Sequence, residues 1–138
     1  MANLALVTAN KLEVVESISQ MTLPTAEVCS PGQAVRLDTS NGKYTKANGT
    51  TAAEARIYGV VVGGKANVAG EPVTAIRKGV VDGYDLSGLA YDAPVYLSDT
   101  DGALADAAGT VSVVVGRVIP GTSTTLGTAF DKLLLVDL

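Results

Sequence analysis

The sequence predicts a mainly β protein, a small β-barrel or β-sandwich built from two related halves. Three observations lead to this prediction. Valine, threonine and glycine dominate the 138 residues, which favours strands and tight turns over helices. Several segments alternate apolar and polar residues and end in Asn-Gly or Asp-Gly, the pattern of a β-hairpin. Residues 34–47 and 94–107 resemble each other, which indicates an internal repeat.

The chain divides into an N-terminal arm, residues 1–10, and a single domain, residues 11–138. The arm carries Leu4, Leu6 and Val7 and has no turn signal that ties it to the next segment, so we expect it to be extended. The run KLEVVESIS at 11–19 is rich in β-branched residues and predicts a strand. Proline and glycine then punctuate the chain at Pro24 and at 30–32.

The repeat gives the two halves of the predicted fold. AVRLDTSNGKYTKA and PVYLSDTDGALADA each place two apolar residues on one face and then reach Asn-Gly or Asp-Gly, which predicts a hairpin with a type I′ turn. At an offset of 60 the two copies share Val35/Val95, Leu37/Leu97, Gly42/Gly102 and Ala47/Ala107.

A returning strand comes after each hairpin. YGVVVGG at 58–64 resembles VGRVIPG at 115–121 at an offset of 57. The smaller offset fits an insertion, TTAAEAR at 50–56, where Thr50 or Thr51 would cap one short helix. Two copies are too few for a solenoid, and closure into a barrel removes exposed edges.

Two further segments complete the predicted sheet. EPVTAIRKGVVDG at 71–83 is strand-like, and Gly79 within it indicates a bulge or a bend. The Arg77-Lys78 pair in this segment is expected to be solvated. KLLLVDL at 132–138 predicts a final strand that is buried in the sheet.

Composition argues against several classes of function. The net charge is -4 and the ten basic residues are widely spaced, so we expect no nucleic-acid partner. Without histidine the chain lacks the commonest catalytic base and metal ligand, and we expect no catalytic residues, no cofactor and no metal. Asp99 and Asp101 are read as turn residues, because the Glu that ends a calcium loop is missing. No apolar run approaches the ~20 residues of a membrane helix.

Single residue types give two more expectations. Cys29 is the only cysteine, which excludes an intramolecular disulfide, and we expect a small buried side chain. The tyrosines Tyr84, Tyr91 and Tyr96 lie near one another in the sequence. They are candidates either for anchoring an interface or for capping the end of a barrel.

The motifs PGQAVRLDTSNGKYTKA, IYGVVVGG, GEPVTAIRKGVVDGYDL, YDAPVYLSDTDGALADA and VGRVIPG together resemble the cement (head decoration) proteins of tailed bacteriophages. The resemblance covers roughly residues 12–138. It implies a β-barrel-like protein on the outer surface of the virion head, assembled in the host cytoplasm. It also implies a homotrimer that binds the major capsid protein and clamps the expanded shell against DNA pressure. The resemblance supplies no catalytic or cofactor-binding residues.

The arm is the sequence-based candidate for the capsid contact, because Leu4, Leu6 and Val7 would add an edge strand to a capsid sheet. The alternative is that residues 1–10 pack on their own or a neighbouring subunit. Two other functions remain open: another virion component, such as a tail or fibre-associated barrel, and a small ligand-binding β-barrel of a bacterium.

Overall fold

A computed structural model describes residues 2–64, 68–121 and 132–138 of the chain. The described residues form nine β-strands and no helix. The strands are β1 (Glu13–Pro24), β2 (Ala34–Leu37), β3 (Tyr44–Lys46), β4 (Gly59–Gly64), β5 (Pro72–Asp82), β6 (Pro94–Leu97), β7 (Leu104–Ala105), β8 (Val114–Pro120) and β9 (Lys132–Asp137).

The nine strands form one antiparallel sheet in the order β3-β2-β4-β5-β9-β8-β6-β7, and β1 pairs with β5. The sheet curls into a half-barrel, which confirms the prediction of a mainly β, barrel-like fold. β5 joins the halves, since β4 pairs with residues 73–76 and β9 with residues 78–81, while β1 pairs along most of the strand.

The internal repeat is present in the register of the sheet. In the first half Val35 of β2 lies opposite Gly59 of β4, and in the second half Val95 of β6 lies opposite Gly116 of β8. Val35 and Val95 are 60 residues apart and Gly59 and Gly116 are 57 apart, which are the two offsets found in the sequence repeat. The two hairpin-plus-strand units are therefore structurally equivalent.

The next strand of each half continues the equivalence. Val61 of β4 lies opposite Ala75 of β5, and Val118 of β8 lies opposite Leu134 of β9. The offset between β5 and β9 is thus 59 residues. These four positions are fully buried, as are the pairs Val35/Val95 and Tyr44/Leu104; the first-half members lie in a smaller core cluster and the second-half members in the main one.

Both halves carry glycine at the same point. A Cβ atom added to Gly116 would lie 1.8 Å from the carbonyl oxygen of Leu135, and one added to Gly59 would lie 2.8 Å from that of Ile76. The neighbouring strand therefore excludes a side chain at Gly116, whereas at Gly59 a side chain fits after a small shift.

The prediction of a short helix at 50–56 is wrong. Residues 52–55 form a single hydrogen-bonded turn, in which the amide of Ala55 donates to the carbonyl of Thr51 at 3.0 Å. The Thr51 hydroxyl does accept a hydrogen bond from the Glu54 amide at 3.2 Å, as a cap would. One turn fixes several residues for few hydrogen bonds, and the chain leaves it at once to reach β4.

The prediction of type I′ turns is also wrong in its geometry. Gly42 and Gly102 both have φ +72°, but Asn41 and Asp101 do not take the positive φ that a type I′ turn needs. In the first half the Gly42 amide donates to the Asp38 carbonyl at 2.7 Å, so the hairpin has a longer loop that ends in a left-handed glycine.

Candidate interaction surface

The N-terminal arm lies against its own barrel. Backbone bridges pair Asn3 with Ala105 of β7 and Leu6 with Tyr84, just beyond β5. The amide of Leu4 donates to the carbonyl of Leu104 at 2.8 Å. Residues 3–6 thus connect β7 to the segment after β5.

The three apolar residues of the arm have different surroundings. Leu4 and Leu6 are half-buried and pack on the main core cluster. Leu6 also covers Gly32, where an added Cβ would lie 2.9 Å from Leu6 Cδ1. Val7 is 75% exposed, although its amide donates to the carbonyl of Gly83. Among these three residues, only Val7 presents most of its side chain to the surface.

The three tyrosines do not form one patch. Tyr84 is buried, its hydroxyl donates to the carbonyl of Gly32, and burial raises the pKa of the phenol well above its usual value. Tyr91 is exposed beside the Lys132 ammonium, which lies 5.3 Å from the centre of its ring. Tyr96 is half-buried on β6. The structure therefore brings Tyr84 to the arm and places the other two elsewhere.

Strand β1 is the most exposed element, and the sequence-based predictions did not identify it as a surface. Ten of its twelve residues in succession, 13–22, are exposed on both faces of the strand. In the part of the chain that the structure describes, β5 is the only strand that pairs with β1. Its outer edge therefore presents backbone donors and acceptors to the surroundings.

The β1–β5 ladder has three register shifts. Those between Val14 and Glu16 and between Ser17 and Ser19 leave Val15 and Ile18 of β1 without partners, and the third, after Ser19, leaves Arg77 of β5 without one. Val15 and Ile18 are 56% and 62% exposed. A bulge re-aims the side chain that it carries, and here both re-aimed side chains are apolar.

The apolar surface on β1 is large for one strand. Val14 and Met21 are 41% and 47% exposed, so with the two bulge residues the uncovered area equals roughly two whole side chains. Covering that area would stabilise an assembly by about 3–6 kcal/mol. The segment EVVESISQM places apolar residues on both faces of the strand, and both faces are exposed.

Other chemistry is sparse in the described ranges. They hold no group of three or more acidic or cysteine side chains placed to bind a metal ion. Burial raises the pKa of the Cys29 thiol to about 11, which disfavours the reactive thiolate. A helix able to cross a bilayer does not occur in these ranges, which form strands, turns and loops.

Comparison with known proteins gives no relative: no protein-family model, curated protein or solved structure matches the chain. The likeness to phage cement proteins rests on the sequence motifs.

Proposed function

We propose that the chain is a capsid decoration protein, which binds the outer surface of the expanded phage head and stabilises it against internal DNA pressure. Its partners are the major capsid protein and further copies of itself, as a homotrimer. The proposal is based on the motif resemblance together with a structural feature that a lone soluble protein does not need, strand β1.

The exposure of β1 is the observation that carries the proposal. A long edge strand with apolar residues on both faces favours aggregation unless a partner covers it. A protein that works as part of an ordered assembly has such partners. The same feature also fits another virion component, and binding to purified heads separates the two.

Weak contacts are sufficient for this role. A trimer that engages several capsid subunits at once gains avidity from effective concentration, so each copy needs only a modest interface. Because such a protein binds the expanded shell and not the unexpanded one, it shifts the equilibrium towards the expanded state by mass action.

Val7 is the arm residue that we assign to the shell. Its side chain is 75% exposed, while Leu4 and Leu6 fix the arm on the barrel. Deleting residues 2–10 would disturb the core as well as the surface. The substitution Val7→Asp tests the contact without that complication, and Val68→Asp is a matched control at a valine that is 60% exposed in a loop.

The test is sedimentation of the purified protein with expanded, undecorated heads and with unexpanded procapsids. We expect saturable binding to expanded heads alone, weakened at least tenfold by Val7→Asp and unchanged by Val68→Asp. No binding to heads of the correct phage would refute the cement role and favour a tail component. If Val7→Asp and Val68→Asp bind equally well, Val7 does not contribute to the contact with the shell.

A further inference from the structure

A groove of about 670 Å³ lies between the β2–β3 turn, the segment before β4, and β5. Its apolar wall is formed by Leu37, Ile57 and Tyr58, and two arginines, Arg56 and Arg77, reach it from different segments. We call it the arginine groove. Apolar walls that hold a few charged groups are typical of binding sites.

The two arginines have no acidic partner in the fold as described. None of the ion pairs among the described residues involves Arg56 or Arg77. The Arg77 guanidinium lies 4.4 Å from the centre of the Tyr58 ring, which holds its plane and leaves its N–H groups available. Guanidinium groups held in this way bind carboxylates in a bidentate manner.

One acid, Asp38, lies at the rim of the groove. Its Oδ1 accepts hydrogen bonds from the hydroxyl of Ser40 at 2.7 Å and from its amide at 2.9 Å, which leaves its negative charge in place. Two arginines and one aspartate give the groove a net charge of +1, from 2 − 1, on a chain whose net charge is -4.

The first half of β1 has the complementary chemistry. Glu13 and Glu16 are exposed, and between them and just after them lie the exposed apolar residues Val15 and Ile18. No lysine or arginine occurs between residues 12 and 35. Two lysines lie nearby: Lys11 makes an exposed pair with Glu13 at 3.5 Å, and Lys78, opposite Ser19 in the β1–β5 ladder, pairs with Asp137 at 3.5 Å.

We infer that residues 13–18 of one copy dock in the arginine groove of a second copy of this chain. The glutamates bond to Arg56 and Arg77, and the two bulge residues cover the apolar wall. This inference rests on the self-association in the proposed function and assigns the surfaces that carry it. Since groove and strand are different surfaces, the contact is head-to-tail, and the homotrimer of the proposed function corresponds to the case in which the rotation between copies closes a ring.

The contact is assigned to two molecules because the ladder holds both glutamates away from the arginines of their own copy. Glu13 lies opposite Asp82 and Glu16 opposite Val80, five and three residues from Arg77, or about 17 and 10 Å along a strand. The groove of the same copy adjoins the other end of β1, where the Tyr58 hydroxyl lies 3.5 Å from the Met21 sulfur. Among the described residues, no ion pair joins either glutamate to Arg56 or Arg77 within one copy.

The experiment is a charge exchange, read out as the mass of the free protein by analytical ultracentrifugation across micromolar concentrations. Arg56→Glu and Glu16→Arg are each expected to weaken association at least tenfold, and the two substitutions combined should restore it to within about threefold of the original. Arg117→Glu, which makes the same charge change on β8 and also removes an exposed ion pair with Asp92, serves as the control and should leave association unchanged. Circular dichroism of each variant checks that the sheet is intact.

Three results would overturn the inference: a wild-type protein that stays monomeric at every concentration, a single reversal without effect, or a combined variant that does not recover. If Arg56→Glu leaves the mass unchanged but abolishes sedimentation with heads, the groove binds the shell instead, and the inference is also wrong. The ultracentrifugation measurement uses the free protein without phage heads. If the copies associate as expected but the protein does not bind heads, only the cement role is refuted.

Discussion

The substitution Gly116→Ala tests the close crossing of β8 and β9. The added methyl carbon would lie 1.8 Å from the Leu135 carbonyl oxygen, whereas real Cβ contacts essentially never fall below 3.0 Å. The two strands therefore have to separate by at least 1.2 Å, the difference between 3.0 and 1.8 Å. The equivalent substitution Gly59→Ala starts at 2.8 Å and needs a shift of only 0.2 Å.

The cost follows from the contacts that the separation breaks. Two ladder hydrogen bonds beside Gly116 would leave the normal distance range, at about 0.5–1.5 kcal/mol each. Overpacking of the core adds about 1–3 kcal/mol. Together these lower the free energy of unfolding by about 2–6 kcal/mol, a large share of the roughly 5–15 kcal/mol of a typical domain. For Gly59→Ala we expect about 1 kcal/mol, at the lower end of the overpacking range.

Urea unfolding followed by far-ultraviolet circular dichroism measures the effect. We expect the midpoint of Gly116→Ala to fall by about 1–3 M. Gly63→Ala is the control, since an added Cβ meets nothing within 4 Å there. It should keep the midpoint or raise it slightly by restricting the unfolded chain. Equal midpoints for Gly116→Ala and Gly63→Ala, or a larger loss for Gly59→Ala, would refute the reasoning.

Three further predictions concern single side chains. Tyr84→Phe leaves the Gly32 carbonyl unpaired in the interior, so urea unfolding should show a loss of about 1–3 kcal/mol, and an unchanged midpoint would contradict the bond. Cys29, fully buried and with its pKa raised to about 11, should react with a thiol reagent at pH 8 only as the chain unfolds; fast labelling without urea would disprove its burial. Hydrogen bonds from Ser40 lower the pKa of Asp38 below its ordinary 3.8, so the stability that they contribute is present above that pH and is lost as the pH falls through the lowered value. Ser40→Ala should flatten this acid dependence of the unfolding midpoint, and an identical slope in both proteins would argue against it.

The repeated units could be predicted because their signals are local. Alternation around Val35 and Val95 and a glycine after each hairpin reflect the pleat and the backbone of a few neighbouring residues. The structure begins β2 and β6 at residues 34 and 94, with the predicted offset. The details that failed, the turn type and the helix after Asn48, depend on the tertiary contacts that end each loop.

The surface features could not be predicted, because they depend on pairing between distant residues. β-branched residues identified β1 as a strand, but its exposure depends on which other segments pack against it, and among the described strands only β5 pairs with it. Arg77 was interpreted as one half of a solvated basic pair. Its position over Tyr58 and beside Arg56 results from the β2-β4-β5 ladder, and the sequence alone does not reveal that register.

The register between β5 and β9 has a consequence for how the molecule is built. Lys78 lies opposite Asp137, which is its own counterpart at the offset of 59 residues, and the strands are arranged about this pair in the palindromic order β2-β4-β5-β9-β8-β6. Two identical units related by a twofold axis pair in this way. The sheet thus has the construction of a half-length homodimer fused into one polypeptide. In a dimer of identical units the axis would juxtapose two lysines or two aspartates, whereas the fused chain places an ion pair there at 3.5 Å. β1 breaks this symmetry, because within the described part of the chain it pairs with β5 and no equivalent strand pairs with β9.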